Sequence, residues 1–411
     1  MQAVYFNAIL VILVFGFVVE QILDFLNSKN KETTVPEDLR NFYDQEKYTK
    51  SLNYKRAHNK VGNISGWMSF VASMLFLLLG GFNWLNELLL PEFGDTLWLS
   101  LVYFGVLFFA SDIMGIPFGL YATFVIEEKF GFNKTTPTTY FIDKIKSYAM
   151  TIILGGGIMY VLLLLITSIG EQFWLYAWAV MVAIMIFTNF FYTTLFVPIF
   201  NKLTSLEDGE LRTEIEKLAA KLNFPLTKIQ VMNASKRTSK GNAYFAGFGK
   251  KKSIVLFDTL IEKHEVDELV GILAHEIGHY KKKHIIGNMV QGIALNGLML
   301  WLLSWFIFNP ELSMALGADQ LYIHLNLIAF GILYGPISMI TGLIGNVISR
   351  KNEYEADAYA IEHTKPEALK TALIRLSTDS LSDLKPHPAY VFMHYSHPTL
   401  LQRLKAINSN A

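Results

Sequence analysis

The chain has 411 residues, of which 52% are hydrophobic and 17% charged, with a mean hydropathy of +0.33. Its 35 basic residues balance 35 acidic ones, so net charge offers no electrostatic case for a nucleic-acid partner. There is no cysteine, which excludes disulfides and thiolate metal sites and leaves histidine and carboxylate as metal ligands.

Apolar runs longer than eighteen residues override the two or three soluble domains that length alone suggests. They lie at 4–24, 66–90, 96–126, 147–168, 174–200, 286–308 and 321–349, so the chain reads as mainly α and polytopic, with seven transmembrane helices. The first run has no positive segment before it and no small-residue cleavage site, and is expected to be a retained span rather than a signal peptide. Segments 25–65, 127–146, 201–285 and 350–411 hold 8, 4, 15 and 8 Lys and Arg, the whole complement of 35. Cytoplasmic segments carry such an excess, so the N-terminus is expected outside, with all four charged segments and the C-terminus in the cytoplasm. The expected organisation is spans one to five with their loops over 1–200 and a first cytoplasmic part over 201–285. Spans six and seven follow over 286–349, and a second cytoplasmic part over 350–411.

In chain order, 25–65 is polar and reads as short helices at the cytoplasmic surface, without evident chemistry. The third span is interrupted at 111–117, where Pro117 is expected to kink or break the helix. Asp112 in that run is costly in lipid and is expected to face a polar interior or to pair with another span. Glu127 and Glu128 follow beside the membrane; adjacent residues point apart, which favours a surface or gating role over an acid–base pair. Leu206, Leu211, Ile215, Leu218 and Leu222 recur at helical spacing. The apolar runs 228–232 and 253–257 flank 242–248, and together they read as a small sheet. An extended peptide can add to a sheet edge, which makes Asn242, Ala243 and Tyr244 candidate substrate-binding residues; an ordinary hairpin is the plainer alternative.

Next comes His275-Glu276-Ile277-Gly278-His279, an H-E-x-x-H motif. With 10 histidines in 411 residues, about 0.01 chance matches are expected in a chain this long. On a helix, His275 and His279 share one face and can offer two imidazoles to a single Zn²⁺. Zinc lowers the pKa of its water from about 15.7 to roughly 7, so Glu276 beside it can serve as general base for peptide hydrolysis. A third ligand is expected in Asn352-Glu353-Tyr354-Glu355-Ala356-Asp357. Glu353 completes a His₂Glu site, and Asp357, one turn on, can accept the free N–H of a ligand histidine. Glu355, rotated about 200° from Glu353, cannot stand on that face. In the tail, His397 or Arg403 is a candidate to stabilise the oxyanion.

These motifs resemble the type I CaaX prenyl proteases, integral-membrane zinc endopeptidases. The resemblance runs through 123–134, Asn242-Ala243, 254–260, 273–280, Glu353 with Asp357, and 394–398 with Arg403. It implies a barrel of seven helices around a water-filled chamber, closed at the cytoplasmic end by an α+β, gluzincin-like zinc metallopeptidase domain. It further implies one Zn²⁺ per chain on His275, His279 and Glu353, with Glu276 as base and Asn242, His397 and Arg403 around substrate and transition state. The expected partners are the bilayer and a peptide or protein substrate, prenylated if the resemblance extends to specificity. A tail ending Asn408-Ser409-Asn410-Ala411, without a dilysine signal, and short outer loops favour a bacterial inner membrane over an endoplasmic reticulum. A broad quality-control protease of membrane proteins is the alternative activity. A transporter with an incidental motif leaves the cytoplasmic His/Glu cluster unexplained.

Overall fold

The computed structural model describes residues 1–30, 33–40, 42–247 and 252–410; Phe248, at the end of the candidate edge strand, and Ala411 lie outside them. Among the described residues, five helices are long and apolar enough to cross a bilayer: Gln2–Lys29, Gln45–Leu78, Leu97–Phe130, Pro137–Phe200 and His284–Phe306. Ile323–Leu333 and Gly335–His363, bent by 50° at their junction, make a sixth if the pair is one span. The 64 residues of Pro137–Phe200 would extend about 96 Å if straight, three times a bilayer core of about 30 Å. Gly170 breaks that run, at φ 72° and ψ −144°, angles open to glycine. Leu162, Leu165 and Ile166 before the break cluster with Phe173, Trp174 and Ala177 after it, as two helices folded on each other do. The run is therefore two crossings, which gives seven apolar segments.

Three boundaries differ from the sequence reading. The polar stretch after residue 44 is not a set of short surface helices. Asp44 caps it, accepting from Lys47 N at 2.6 Å, and Gln45–Leu78 then continues unbroken from polar surface into apolar span. The expected span 66–90 is split at Gly80, in the left-handed region at φ 69°, and a second helix covers Gly81–Phe93. Hydropathy is blind to this turn because both sides are apolar. The third span is not broken at Pro117. Its helix Leu97–Tyr121 runs through the proline, and the irregular part is a wide π-type turn over Ala122–Glu127. A proline removes one backbone rung, while opening the helix in lipid would strand many polar groups. Asp112 pairs with the next span, 2.6 Å from Lys144 Nζ and hydrogen-bonded by Tyr148.

Beyond the membrane helices lies a four-stranded sheet: β1 (Leu203–Ser205), β2 (Leu226–Met232), β3 (Ala243–Ala246) and β4 (Lys252–Phe257), in the order β1-β2-β4-β3. β2 and β4 run parallel, the other pairs antiparallel, and β3 stands at an edge. Ile254, Val255 and Leu256 on β4 are fully buried. Helix Glu210–Lys221 brings Ile215 and Leu218 into one core with Leu256, Leu269 and Leu273, so the sheet and the H-E-x-x-H helix share a hydrophobic layer.

Candidate metal centre

The H-E-x-x-H helix spans Val266–Lys281 and starts with a capping box, Glu265 and Glu268 each accepting from the other's backbone. It ends where Lys283 turns left-handed, at φ 61°, before the sixth span begins at His284. Gly278, inside the motif, sets the approach of the third ligand. A Cβ there would lie 3.1 Å from the Cα and O of Ala356, so glycine lets the Gly335–His363 helix come against backbone. Ala356 is three residues from Glu353, which this close crossing delivers to the histidines.

The resulting distances are those of a coordination polyhedron. His275 Nε2 lies 3.2 Å from His279 Nε2 and 3.5 Å from Glu353 Oε2, and His279 Nε2 lies 3.2 Å from Glu353 Oε1. A tetrahedron with bonds of about 2.0–2.1 Å has edges of about 3.3–3.4 Å, within the span of these separations. Among the described residues this is the group of three His and acidic side chains able to hold a metal ion. Glu353 is buried, and its Oε2 has no aligned hydrogen-bond donor although His397 Nδ1 lies 3.0 Å away. A buried carboxylate oxygen facing two imidazole lone pairs is a poor arrangement without a cation and a good one with it. The donor set therefore fits a divalent ion.

Asp357 accepts from His275 Nδ1 at 2.8 Å. Arg403 grips the same carboxylate through Nε at 2.8 Å and Nη2 at 2.6 Å, which engages two of its three guanidinium nitrogens. Its Nη1 lies 3.6 Å from Glu353. Glu355 points elsewhere, with Oε2 3.1 Å from His284 Nε2. The sequence reading gave His284 no role, yet its Nδ1 lies 3.0 Å from Nδ1 of His279. A histidine five residues after the motif's second was the only available signal.

Glu276 lines the same cavity, of about 280 Å³, with Asn242, Ala243, His397 and Arg403. Burial pushes the Glu276 carboxyl above its ordinary range, opposed by the charges of His275 and His279. The Glu353 carboxylate raises the His397 imidazole against the opposing effect of burial. Aliphatic side chains of Leu260, Ile272, Leu369 and Leu373 complete the walls. Tyr244 is not in this cavity. Side chains alternate along a strand, and the ring of Tyr244 lines a neighbouring cavity of about 590 Å³, 6.3 Å from the Tyr192 ring centroid. Asn242 borders both.

The family described as CAAX prenyl protease N-terminal, five membrane helices, matches residues 24–202, and peptidase family M48 matches 205–411. "Probable CAAX prenyl protease 1" of Schizosaccharomyces pombe is 35% identical over 91% of this chain and 82% of its own length. "CAAX prenyl protease 1" of Saccharomyces cerevisiae is 36% identical over 92% and 90%. "CAAX prenyl protease 1 homolog" of Homo sapiens is 33% identical over 92% and 89%. The crystal structure of S. mikatae Ste24p superposes with a TM-score of 0.93 at 32% identity, covering 98% of this chain and 99% of that one. With the histidines of an H-E-x-x-H helix grouped with a glutamate of a second helix so that they could hold a metal, and this likeness over nearly its whole length, the chain belongs to peptidase family M48, joined to the membrane domain of the CAAX prenyl proteases.

Proposed function

We propose that this membrane metallopeptidase is a zinc endopeptidase that removes the C-terminal tripeptide from prenylated CaaX proteins. The observation that carries it is the convergence of His275, His279 and Glu353 at 3.2–3.5 Å, with Glu276 in the same cavity. Two neutral imidazoles and one carboxylate are the donor set of a catalytic zinc with one position left open. Zinc, when bound, supplies Lewis acidity that polarises a carbonyl and brings the pKa of water from about 15.7 to about 7. Glu276 takes the proton of the attacking water and returns it to the leaving amine nitrogen. His397 and Nη1 of Arg403 are the groups that stabilise the oxyanion, since both side chains line the cavity, while Nε and Nη2 of Arg403 with Asp357 hold His275 in place. Asn242 and Ala243 lie along the substrate backbone at the edge of the sheet. The likeness to CAAX prenyl proteases 1 of two yeasts and of Homo sapiens supports the CaaX substrate.

The test pairs a farnesylated C-terminal peptide with its unmodified twin, incubated with wild type and Glu276→Gln in liposomes. Each buried CH₂ adds roughly 0.8 kcal/mol of membrane affinity, so the farnesylated peptide is expected to be cut faster, and only by wild type. Equal rates for the two peptides move the assignment to a broad membrane-protein quality-control protease. Cleavage by Glu276→Gln at the wild-type rate removes the general-base assignment.

A further inference from the structure

β3 is an edge strand of four residues, with Gly241 shortly before it and Gly247, at φ 96°, directly after it. Phe257 N–H donates to Asn242 O at 3.0 Å. By the alternation of an antiparallel ladder, Tyr244 then turns its N–H and C=O toward β4, while Ala243 and Phe245 hold theirs toward the open edge, where the Ala243 N–H donates to Asn242 Oδ1 at 2.9 Å. The Ala243 C=O and the N–H and C=O of Phe245 are the groups an added peptide strand bonds. A strand this short, with one neighbour and glycine at both ends, orders poorly by itself. The fold supplies an anchor at its start.

That anchor is Lys240. Its Nζ lies 3.1 Å from Glu127 Oε2, donates to Tyr54 OH at 2.8 Å, and sits 4.4 Å from the Phe132 ring centroid. Tyr54 OH donates in turn to Glu127 Oε1 at 2.5 Å, and His58 Nε2 lies 2.9 Å from the same oxygen. Glu127 ends the π-type turn near the foot of the third span, and Tyr54 and His58 stand on the polar half of the second-span helix. On its other side, the carbonyl of Lys240 accepts from Thr259 Oγ1 at 2.8 Å. Gly241 then packs on Leu260 so closely that a Cβ would fall 2.9 Å from Leu260 Cδ1. Leu260 and Asn242 both line the metal cavity.

We propose that Lys240 and Glu127 are positioning residues. Their ion pair fixes the start of β3 to the membrane helices, so that Asn242 and the outward backbone groups of Ala243 and Phe245 are ordered before a peptide arrives. This rests on the metallopeptidase reading. Ordering the strand in advance removes an entropic cost from binding. It counts equally for bound substrate and transition state, so its loss appears in KM rather than kcat.

The experiment uses the purified full chain in detergent, a peptide that wild type cleaves, and the variants Lys240→Met, Lys240→Arg, Glu127→Gln and the double Lys240→Met/Glu127→Gln. Lys240→Met and Glu127→Gln are expected to raise KM about tenfold and to change kcat by less than about twofold, with metal content unchanged. Lys240→Arg, which keeps the charge, is expected to stay within about threefold of wild type, and the double variant to be no worse than the weaker single. Amide hydrogen exchange over Ala243–Ala246 is expected to quicken in both single variants while the Val266–Lys281 helix keeps its protection, a pattern that general destabilisation does not produce. If Lys240→Met does not fold, Glu127→Gln carries the same comparison. Unchanged KM and unchanged exchange, or a fall in kcat at constant KM, overturns the proposal. If wild type neither binds metal nor cleaves, the metallopeptidase reading fails instead, and the exchange comparison still decides whether the clamp orders β3.

Discussion

Asp357 Oδ1 accepts a hydrogen bond from His275 Nδ1 at 2.8 Å, and this one bond decides which ring nitrogen faces the cavity. An ionised carboxylate only accepts, so Nδ1 carries the proton and the Nε2 lone pair is left for a metal. Asp357→Asn can present an amide donor in place of that acceptor, which favours the wrong tautomer. Metal affinity is expected to fall about 10–100-fold, read as metal retained after dialysis against graded chelator. Retention equal to wild type would remove Asp357 from the support of the site.

Glu353 and Glu355 make a sharper comparison, since they are two residues apart and face different histidines. Glu353 stands between His275 and His279, and Glu355 reaches His284 at 3.1 Å. Glu353→Ala is expected to lose the metal. Glu355→Ala is expected to keep one ion per chain and to release it somewhat faster to chelator, because His284 supports His279 from behind. Metal lost from Glu355→Ala and kept by Glu353→Ala reverses the assignment.

The grouping of His275, His279 and Glu353 was legible because it rests on helical periodicity. Spacings of four place His275 with His279 and Glu353 with Asp357, whatever surrounds them. The sheet was legible in outline from its apolar runs, but not its order: nothing in 226–257 announces that β2 and β4 run parallel with β3 outside them. Span number followed from hydropathy, whereas the turn at Gly80 did not, since a turn between two apolar stretches leaves no polar mark. Arg403 stands with His397 as a candidate for the oxyanion, and sequence position does not reveal that two of its guanidinium nitrogens also bond Asp357. The Tyr54–Glu127–Lys240 cluster joins residues 73 and 186 positions apart, and no local pattern brings such side chains together.

Gly278 is the x next to the second histidine, a position at which H-E-x-x-H itself requires nothing. Gly278→Ala places a Cβ 3.1 Å from Ala356 backbone and 3.2 Å from Tyr359 Cβ, atoms that cannot swing aside. The expected cost is about 1–3 kcal/mol of stability, with weaker metal retention as the Glu353 helix is pushed back. Gly287→Ala, on a helix with nothing within 4 Å of the added Cβ, is the control and is expected to be neutral or slightly stabilising. Thermal unfolding of both variants in the same detergent checks this, and equal melting of the two would show that the crossing has slack.

Sidedness can be predicted by joining a contact to a charge rule. Gln2 Nε2 donates to Met314 O at 2.8 Å, and the Met1 amino group lies 3.9 Å from Glu311, so the N-terminus and the connection after the sixth span share one side. At the other end of the first helix, Asn27 Oδ1 accepts from His387 N at 2.9 Å, and His394 lies 3.3 Å from Glu20, which puts the metal-bearing half on the opposite side. These contacts fix relative position only. For the absolute sense we propose the one that the basic residues favour, because all 35 fall in the segments expected on the metal side, and cytoplasmic segments carry such an excess. A reporter inserted near Pro310 is therefore expected to behave as extracytoplasmic and one fused at the C-terminus as cytoplasmic. Both reporters on one side would break the span count; both reversed would keep the fold and place the metal centre outside, where a substrate lipidated in the cytoplasm could not reach it.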